Sequence, residues 1–390
     1  MSHLPPEIIT RIFKEVEASG LESPYEWWSQ SDDVHAFFDT ASLVCKRWNT
    51  LAKPFRTCFT IASNTQDEMP NEWNGGYTRN GNSLSQSITV KSLHVEWMED
   101  DKDDEEFVLV LPLSFREYLV AAENTLCSLS LQGELLQQDI PKNSLGIDVI
   151  LQRLLRQVEC LHVYSDASGY TEYGHIVIPG YELPWSALAE AWSPGRTKPL
   201  KELALSVIPI DGPIDLQHAP SCPARTIVFH DVWFENELEF SELFPNVETF
   251  VWKQSADWNA PTPYLPSTHL KHETRSKTLK HLQVDAWSCQ YPPDGDGELF
   301  KSPNLRTLHF RHLCKTNEGF CIAYALLSGL LARGIPTLQE VRIDDLAGRV
   351  SKSADTIRSS LKASLPSTFL ATPVHDLPAG CLALYVRNQY

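Results

Sequence analysis

Ten times along the chain an apolar residue is followed three positions later by a second and two positions after that by a third. Clear copies are Val90/Leu93/Val95, Leu126/Leu129/Leu131, Val158/Leu161/Val163, Leu200/Leu203/Leu205, Leu279/Leu282/Val284, Leu305/Leu308/Phe310, Leu338/Val341/Ile343 and Cys381/Leu384/Val386. Weaker copies are Ala224/Ile227/Phe229 and Val247/Phe250/Trp252. The last two apolar positions of each copy stand two apart, the period of a strand with one face buried. Several copies follow Pro or Pro-Asn, as in "PNVETF", "PNLRTL" and "PTLQEV", which is a turn leading into a strand. "TCFTIAS", ahead of the first copy, fits a capping strand. Between copies the period changes to that of a helix. In "IDVILQRLLRQVE" the residues Ile147, Ile150, Leu151, Leu154, Leu155 and Val158 share one helical face. "LPWSALAEAW", "EGFCIAYALLSGLLARG" and "ADTIRSSLKASL" read the same way. The polar stretch 62–87 and the run "EDDKDDEE" at 99–106 read as solvated loops.

A strand followed by a helix, repeated, resembles a leucine-rich-repeat solenoid: an α/β fold with a curved, mainly parallel sheet. The alternative is an ordinary α/β domain whose strands share a pattern. The repeats are degenerate, because their central residues are 23 to 43 positions apart and most copies lack the Asn or Cys that usually follows the strand. In such a solenoid the residues alternating with the buried leucines line an open concave face. Lys253, Arg311, Arg342 and Arg387 occupy such positions in the later copies. Arg311, Arg342 and Arg387 are therefore the candidate target-binding residues, expected at equivalent positions of neighbouring copies, where guanidinium forks would hold an acidic or phosphorylated segment.

The first sixty residues differ. In "LPPEIITRIFKEV" the early prolines suit a first helical turn, Glu7 suits the positive end of the helix dipole, and Ile8, Ile12 and Val16 recur every four residues beside Ile9 and Phe13. Asp32 or Asp33 can cap a second helix. Along it Phe37, Ala41, Val44 and Trp48 form one stripe, and Val44, Trp48, Leu51 and Phe55 continue at steps of four, three and four.

Leu4, Pro5, Glu7, Ile8, Ile12 and Phe13, followed by Leu43, Val44, Cys45, Lys46 and Trp48, strongly resemble the F-box, a three-helix module that docks on the Skp-family adaptor of cullin-RING ubiquitin ligases. The match runs from residue 4 to 56. The segment between its two ends is about 15 residues longer than in a typical F-box, and "ASGLESPYEWWSQSD", with Trp27 and Trp28, fits the insertion. The resemblance implies an adaptor-binding domain at 1–58 and a leucine-rich-repeat-like substrate domain at 59–390, as in fungal F-box proteins. It assigns Leu4, Pro5, Ile8, Ile12, Leu43, Val44, Cys45 and Trp48 to adaptor contact.

Charge narrows the partners. Fifty acidic and 33 basic residues give a net charge of −17. A field of that sign opposes nucleic acid and anionic membrane. The nine cysteines are scattered singly with no C-x-x-C pair, which fits reduced thiols. "MSHLPPEIIT" lacks the charged-then-apolar order of a secretory signal, and the longest apolar tracts are too short to span a bilayer. The expectation is a cytoplasmic and/or nuclear protein.

Catalytic motifs are absent from the sequence: no phosphate loop, G-x-G-x-x-G, nucleophile elbow or H-E-x-x-H. "PPDGDGELF" lacks both the third ligand before the glycine and the later glutamate of a calcium loop. His309 and His312 near Cys314, and His269, His272 and His281, show no convergent ligand spacing. No cofactor, metal or catalytic role is expected. The sequence thus favours a non-catalytic substrate receptor that holds an adaptor, through it a cullin, and an unidentified protein target. The alternatives are a leucine-rich-repeat scaffold that binds the adaptor without ligase work, and a hydrolase within the α/β body.

Overall fold

The computed structural model describes residues 4–19, 32–55, 58–64, 92–98, 125–136, 147–165, 183–192, 195–211, 220–230, 232–234, 240–254, 277–286, 304–311, 337, 339–343, 369–371 and 382–386. The last two apolar positions of all ten signatures lie on strands, and the fold is of α/β type, built on a mainly parallel sheet. The chain divides into two compact units, Met1–Asp166 with Glu190–Leu200, and Ala167–Ala189 with Lys201–Tyr390.

In the first unit β1 (Cys58–Asn64), β2 (Ser92–Met98), β3 (Ser128–Gln132) and β4 (Cys160–Tyr164) pair in that order, all parallel. "TCFTIAS" does supply the first strand. The register sets Phe59, Leu93, Leu129 and Leu161 side by side, and the three leucines are buried. The second unit contains β5 (Leu183–Pro184), β6 (Glu202–Ser206), β7 (Pro209–Asp211), β8 (Thr226–His230), β9 (Trp233–Phe234), β10 (Thr249–Gln254), β11 (His281–Ala286), β12 (Thr307–Arg311), β13 (Glu340–Ile343), β14 (Phe369–Ala371) and β15 (Leu382–Val386). β6, β8, β10, β11, β12 and β13 are parallel neighbours in that order. Leu203, Ile227, Phe250, Leu282, Leu308 and Val341 share one rung, and the first five are buried. β15 then pairs antiparallel with β13 and β14, so the tenth copy keeps the rung (Val341 opposite Leu384) but reverses direction. A small parallel sheet joins β5, β7 and β9.

One backbone arrangement recurs between six described pairs of parallel strands. The carbonyl two residues before the central apolar residue accepts from two successive N–H groups of the next copy. Cys127 O accepts from Glu159 and Cys160, Lys201 O from Arg225 and Thr226, and Arg225 O from Glu248 and Thr249. Glu248 O accepts from Lys280 and His281, Lys280 O from Arg306 and Thr307, and Arg306 O from Gln339 and Glu340. In the copies whose first apolar residue is described, that residue plugs in just ahead of the strand. Leu126, Val158, Leu200, Ala224, Val247, Leu279 and Leu305 are all buried.

The helical segment comprises α1 (Pro6–Ser19), α2 (Asp32–Val44), α3 (Lys46–Ala52) and a 3-10 turn, Lys53–Phe55. Pro5 O accepts from the Ile8 and Ile9 N–H groups and opens α1. The core of this segment is Ile9, Phe13, Phe38, Ala41, Ala52 and Phe55, with Leu4, Val16, Phe37, Trp48 and Leu51 packed against it. Phe13 is the hub, edge-on to Phe37, Phe38, Trp48 and Phe55 at 5.5–5.9 Å between ring centres. The continuous stripe from Val44 to Phe55 is corrected here. Cys45 adopts extended backbone (φ −167°, ψ 168°) and separates α2 from α3, so Val44 is exposed while Phe55 is buried.

"IDVILQRLLRQVE" forms α4 (Ile147–Gln157), with Leu151, Leu154 and Leu155 buried. Near its C-terminus, where helix carbonyls lack intrahelical partners, Leu154 O accepts from the Val158 N–H and one side chain serves Leu155 O and two carbonyls outside the helix. Arg196 donates through Nη1 to Leu155 O (2.8 Å), through Nη2 to Val158 O, and through Nε to Lys198 O (2.9 Å). "LPWSALAEAW" supplies the short helix Trp185–Ala189, whose Trp185 packs edge-on against Phe244 at 5.6 Å. The expected loop at 62–87 is corrected at its start, where residues 62–64 belong to β1; its remainder, the loop at 99–106 and the other two expected helices lie outside the described residues. Among the described residues no helix is long and apolar enough to cross a membrane.

Leu161→Ala and Phe250→Ala should each cost about 2–5 kcal/mol in urea denaturation, the range for deleting a large buried side chain. Arg196→Ala should cost about 1–3 kcal/mol by leaving carbonyls unsatisfied.

Candidate functional site

α1 carries two adjacent apolar stripes and buries only one. Ile9 and Phe13 turn into the core, leaving Ile8 and Ile12 at 45% and 40% exposure. At the end of α2, Leu43 is 83% and Val44 57% exposed. Among the described residues these four are the exposed large hydrophobic side chains. All four belong to the set that the F-box resemblance assigned to adaptor contact. Of the remaining four, Pro5 and Cys45 are exposed, and Leu4 and Trp48 are half-buried against the core. The helices of this region also present Arg11, Lys14, Lys46, Arg47 and Lys53 to solvent. Exposed apolar side chains on an otherwise packed helical core are what a protein-binding surface requires.

The second expected site is changed by the structure in two ways. First, the positions just after the central apolar residue do not line an open face: Ser130, His162, Ala204, Val228, Val251 and Gln283 are buried. The sequence carries a signal for this. "LALS", "IVFH" and "FVWK" are near-continuous apolar runs, typical of parallel strands covered on both faces rather than one. Ser130 Oγ and His162 Nδ1 meet at 2.7 Å inside this layer, and the His162 ring stacks on Tyr164. Second, the candidate arginines are not at equivalent positions. Arg342 pairs with His309, whereas Arg311 pairs with Asp285 and through it shares a rung with Lys253. The residue opposite Arg342 on antiparallel β15 is Ala383, and Arg387 lies outside the described residues. Adjacent strands are about 4.8 Å apart, so the register sets a carboxylate-bearing residue beside Arg311 within the sheet.

Near this region His281 Nδ1 lies 2.7 Å from Thr307 Oγ1. Burial holds the His281 imidazole below its ordinary value; Arg306 and Lys280 act in the same direction, and Glu248 and Glu340 oppose them. Among the described residues no group of three His, Cys, Asp or Glu side chains could hold a metal ion. A depression of about 230 Å³ lined by Gln152, Leu155, Arg156 and Glu190 brings together no nucleophile and base. No protein-family model matches the chain, and no curated protein matches it.

The lowered His281 value sets a sign. Between it and about 6.5 the unfolded chain binds more protons at this position than the folded one, so this histidine's contribution makes stability rise with pH across that window. NMR titration of His281 should give a midpoint below that of a free histidine, and Arg306→Gln should move it upward. A midpoint unmoved by that change would show that the Arg306 charge does not reach the ring.

Proposed function

We propose that this chain is a substrate-receptor subunit of a Skp-cullin-F-box ubiquitin ligase. Its helical segment would act as an F-box that binds the Skp-family adaptor. Its sheet region would act as a leucine-rich-repeat-like solenoid that holds a protein target. The observation that carries the reading is the coincidence of Ile8, Ile12, Leu43 and Val44, exposed on a packed core, with the residues that the F-box motif devotes to its adaptor. The junction repeated between six described pairs of parallel strands supports the repeat reading of the sheet, because it returns at the same position of copies whose central residues are 23 to 33 positions apart. In this role the protein performs no bond chemistry. It raises the effective concentration of target lysines near a charged ubiquitin-conjugating enzyme. Arg311 and Arg342 remain candidates for target contact.

Leu43→Ala with Val44→Ala is the direct test, since both side chains are exposed and their loss should change stability by no more than about 0.5 kcal/mol. Adaptor affinity should fall about tenfold or more, equivalent to about 1.4 kcal/mol of lost burial. Unchanged affinity in the folded variant would sink the proposal. Capture of a cullin together with the adaptor distinguishes a ligase subunit from a scaffold that binds the adaptor alone.

A further inference from the structure

The junction that repeats along the second unit also aligns five charged residues. Lys201, Arg225, Glu248, Lys280 and Arg306 occupy the same position in five successive parallel strands, and the N–H of each after the first donates to the carbonyl of the one before. At about 4.8 Å between strands the row is about 19 Å long. Lys201 and Arg306 are exposed, and the side chains of Arg225 and Lys280 are 73% and 35% exposed. Glu248 reaches both neighbours, Lys280 at 2.9 Å and Arg225 at 3.9 Å. Four cations to one carboxylate is the reverse of the chain's composition, which has 50 acidic and 33 basic residues. Lys280 and Arg306 stand side by side, a like-charged pair that costs stability. Among the described residues Arg306 pairs with no carboxylate.

We propose that this row is a docking rail for an acidic segment of a partner protein, carrying carboxylates or phosphorylated side chains. An extended peptide rises about 3.3 Å per residue, so about six residues span the row. Arginine holds either kind of anion through paired N–H donors, and lysine adds point charge. A short peptide is favoured over nucleic acid because a polyphosphate longer than the rail would run onto a surface whose net charge is −17. The inference rests on the receptor reading and deepens it by naming the chemistry of the target and by adding the starting edge of the strands to the candidate contact surface.

Fluorescence anisotropy on the full chain tests it with labelled hexaglutamate, a phosphoserine peptide of equal length, and hexaglutamine as the neutral control. One or both anionic peptides should bind more tightly than the control, and which one does identifies carboxylate or phosphate as the preferred group. Arg225→Gln with Arg306→Gln should weaken that binding about fivefold and flatten its salt dependence, whereas Glu248→Gln should tighten it about twofold. A purely structural role would not produce effects of opposite sign. Binding no better than hexaglutamine, affinity unmoved by the arginine changes, no tightening with Glu248→Gln, or stronger binding of a hexanucleotide would each overturn the proposal. Adaptor capture on the same preparations separates the two readings: if it holds while peptide binding fails, the rail is wrong and the receptor role stands.

Discussion

A single carbonyl shared by two N–H groups of the next copy, at Cys127, Lys201, Arg225, Glu248, Lys280 and Arg306, fixes the register from which the other features of these parallel strands follow. Side chains alternate with a period of two, so a slip of one residue would exchange the leucine ladder with its neighbours. The junction prevents this by setting each strand at the same starting point, whatever the length of chain since the last. That explains how copies 23 to 33 residues apart can stack in register. Closing a longer loop costs only about 0.6 kcal/mol per doubling, little against a full set of ladder hydrogen bonds and a buried leucine. In the second unit one register produces two outcomes: Leu203, Ile227, Phe250, Leu282 and Leu308 inside, and the row from Lys201 to Arg306 along the edge.

Much of the strand framework was legible because it rests on period. Leu129 and Leu131, or Leu203 and Leu205, announce a strand whatever surrounds them, and the run from Ile147 to Val158 announces a helix. The burial of both faces was harder to read. Ala204, Val228 and Val251 are apolar in the sequence, but next to a leucine pattern they pass for incidental members of an exposed face. Nor does a period of two carry direction, so nothing in Leu384 and Val386 foretells that β15 runs antiparallel. The edge row was invisible for a different reason. Its members fall outside the apolar pattern, and their alignment exists only after the register has been set.

The helical segment shows the limit of periodicity in another form. Ile8, Ile9, Ile12 and Phe13 define two overlapping stripes, and helical spacing alone does not choose between them. The choice is made by Phe38 and Phe55, whose rings stack on each other at 5.2 Å and receive Phe13 edge-on. Cys45 was equally unreadable. The steps of four and three run straight through it, yet its extended backbone ends one helix and starts the next, turning Leu43 and Val44 outward.

The size of that outward surface constrains what it can do. Burying a side chain of this type completely is worth about 1.5–3 kcal/mol, and four that are roughly half exposed amount to about two such burials, or ~3–6 kcal/mol. A micromolar complex requires about 8 kcal/mol after the cost of association has been met. The four exposed side chains therefore do not hold a partner at that affinity unaided. The shortfall must come from groups beside them. Leu4 and Trp48 still have surface to lose, and Arg11, Lys14, Lys46, Arg47 and Lys53 supply cations for hydrogen bonds to a carboxylate. A partner for this region should thus combine an apolar groove with an acidic rim, and apolar truncation and charge reversal should each weaken binding without either alone removing it.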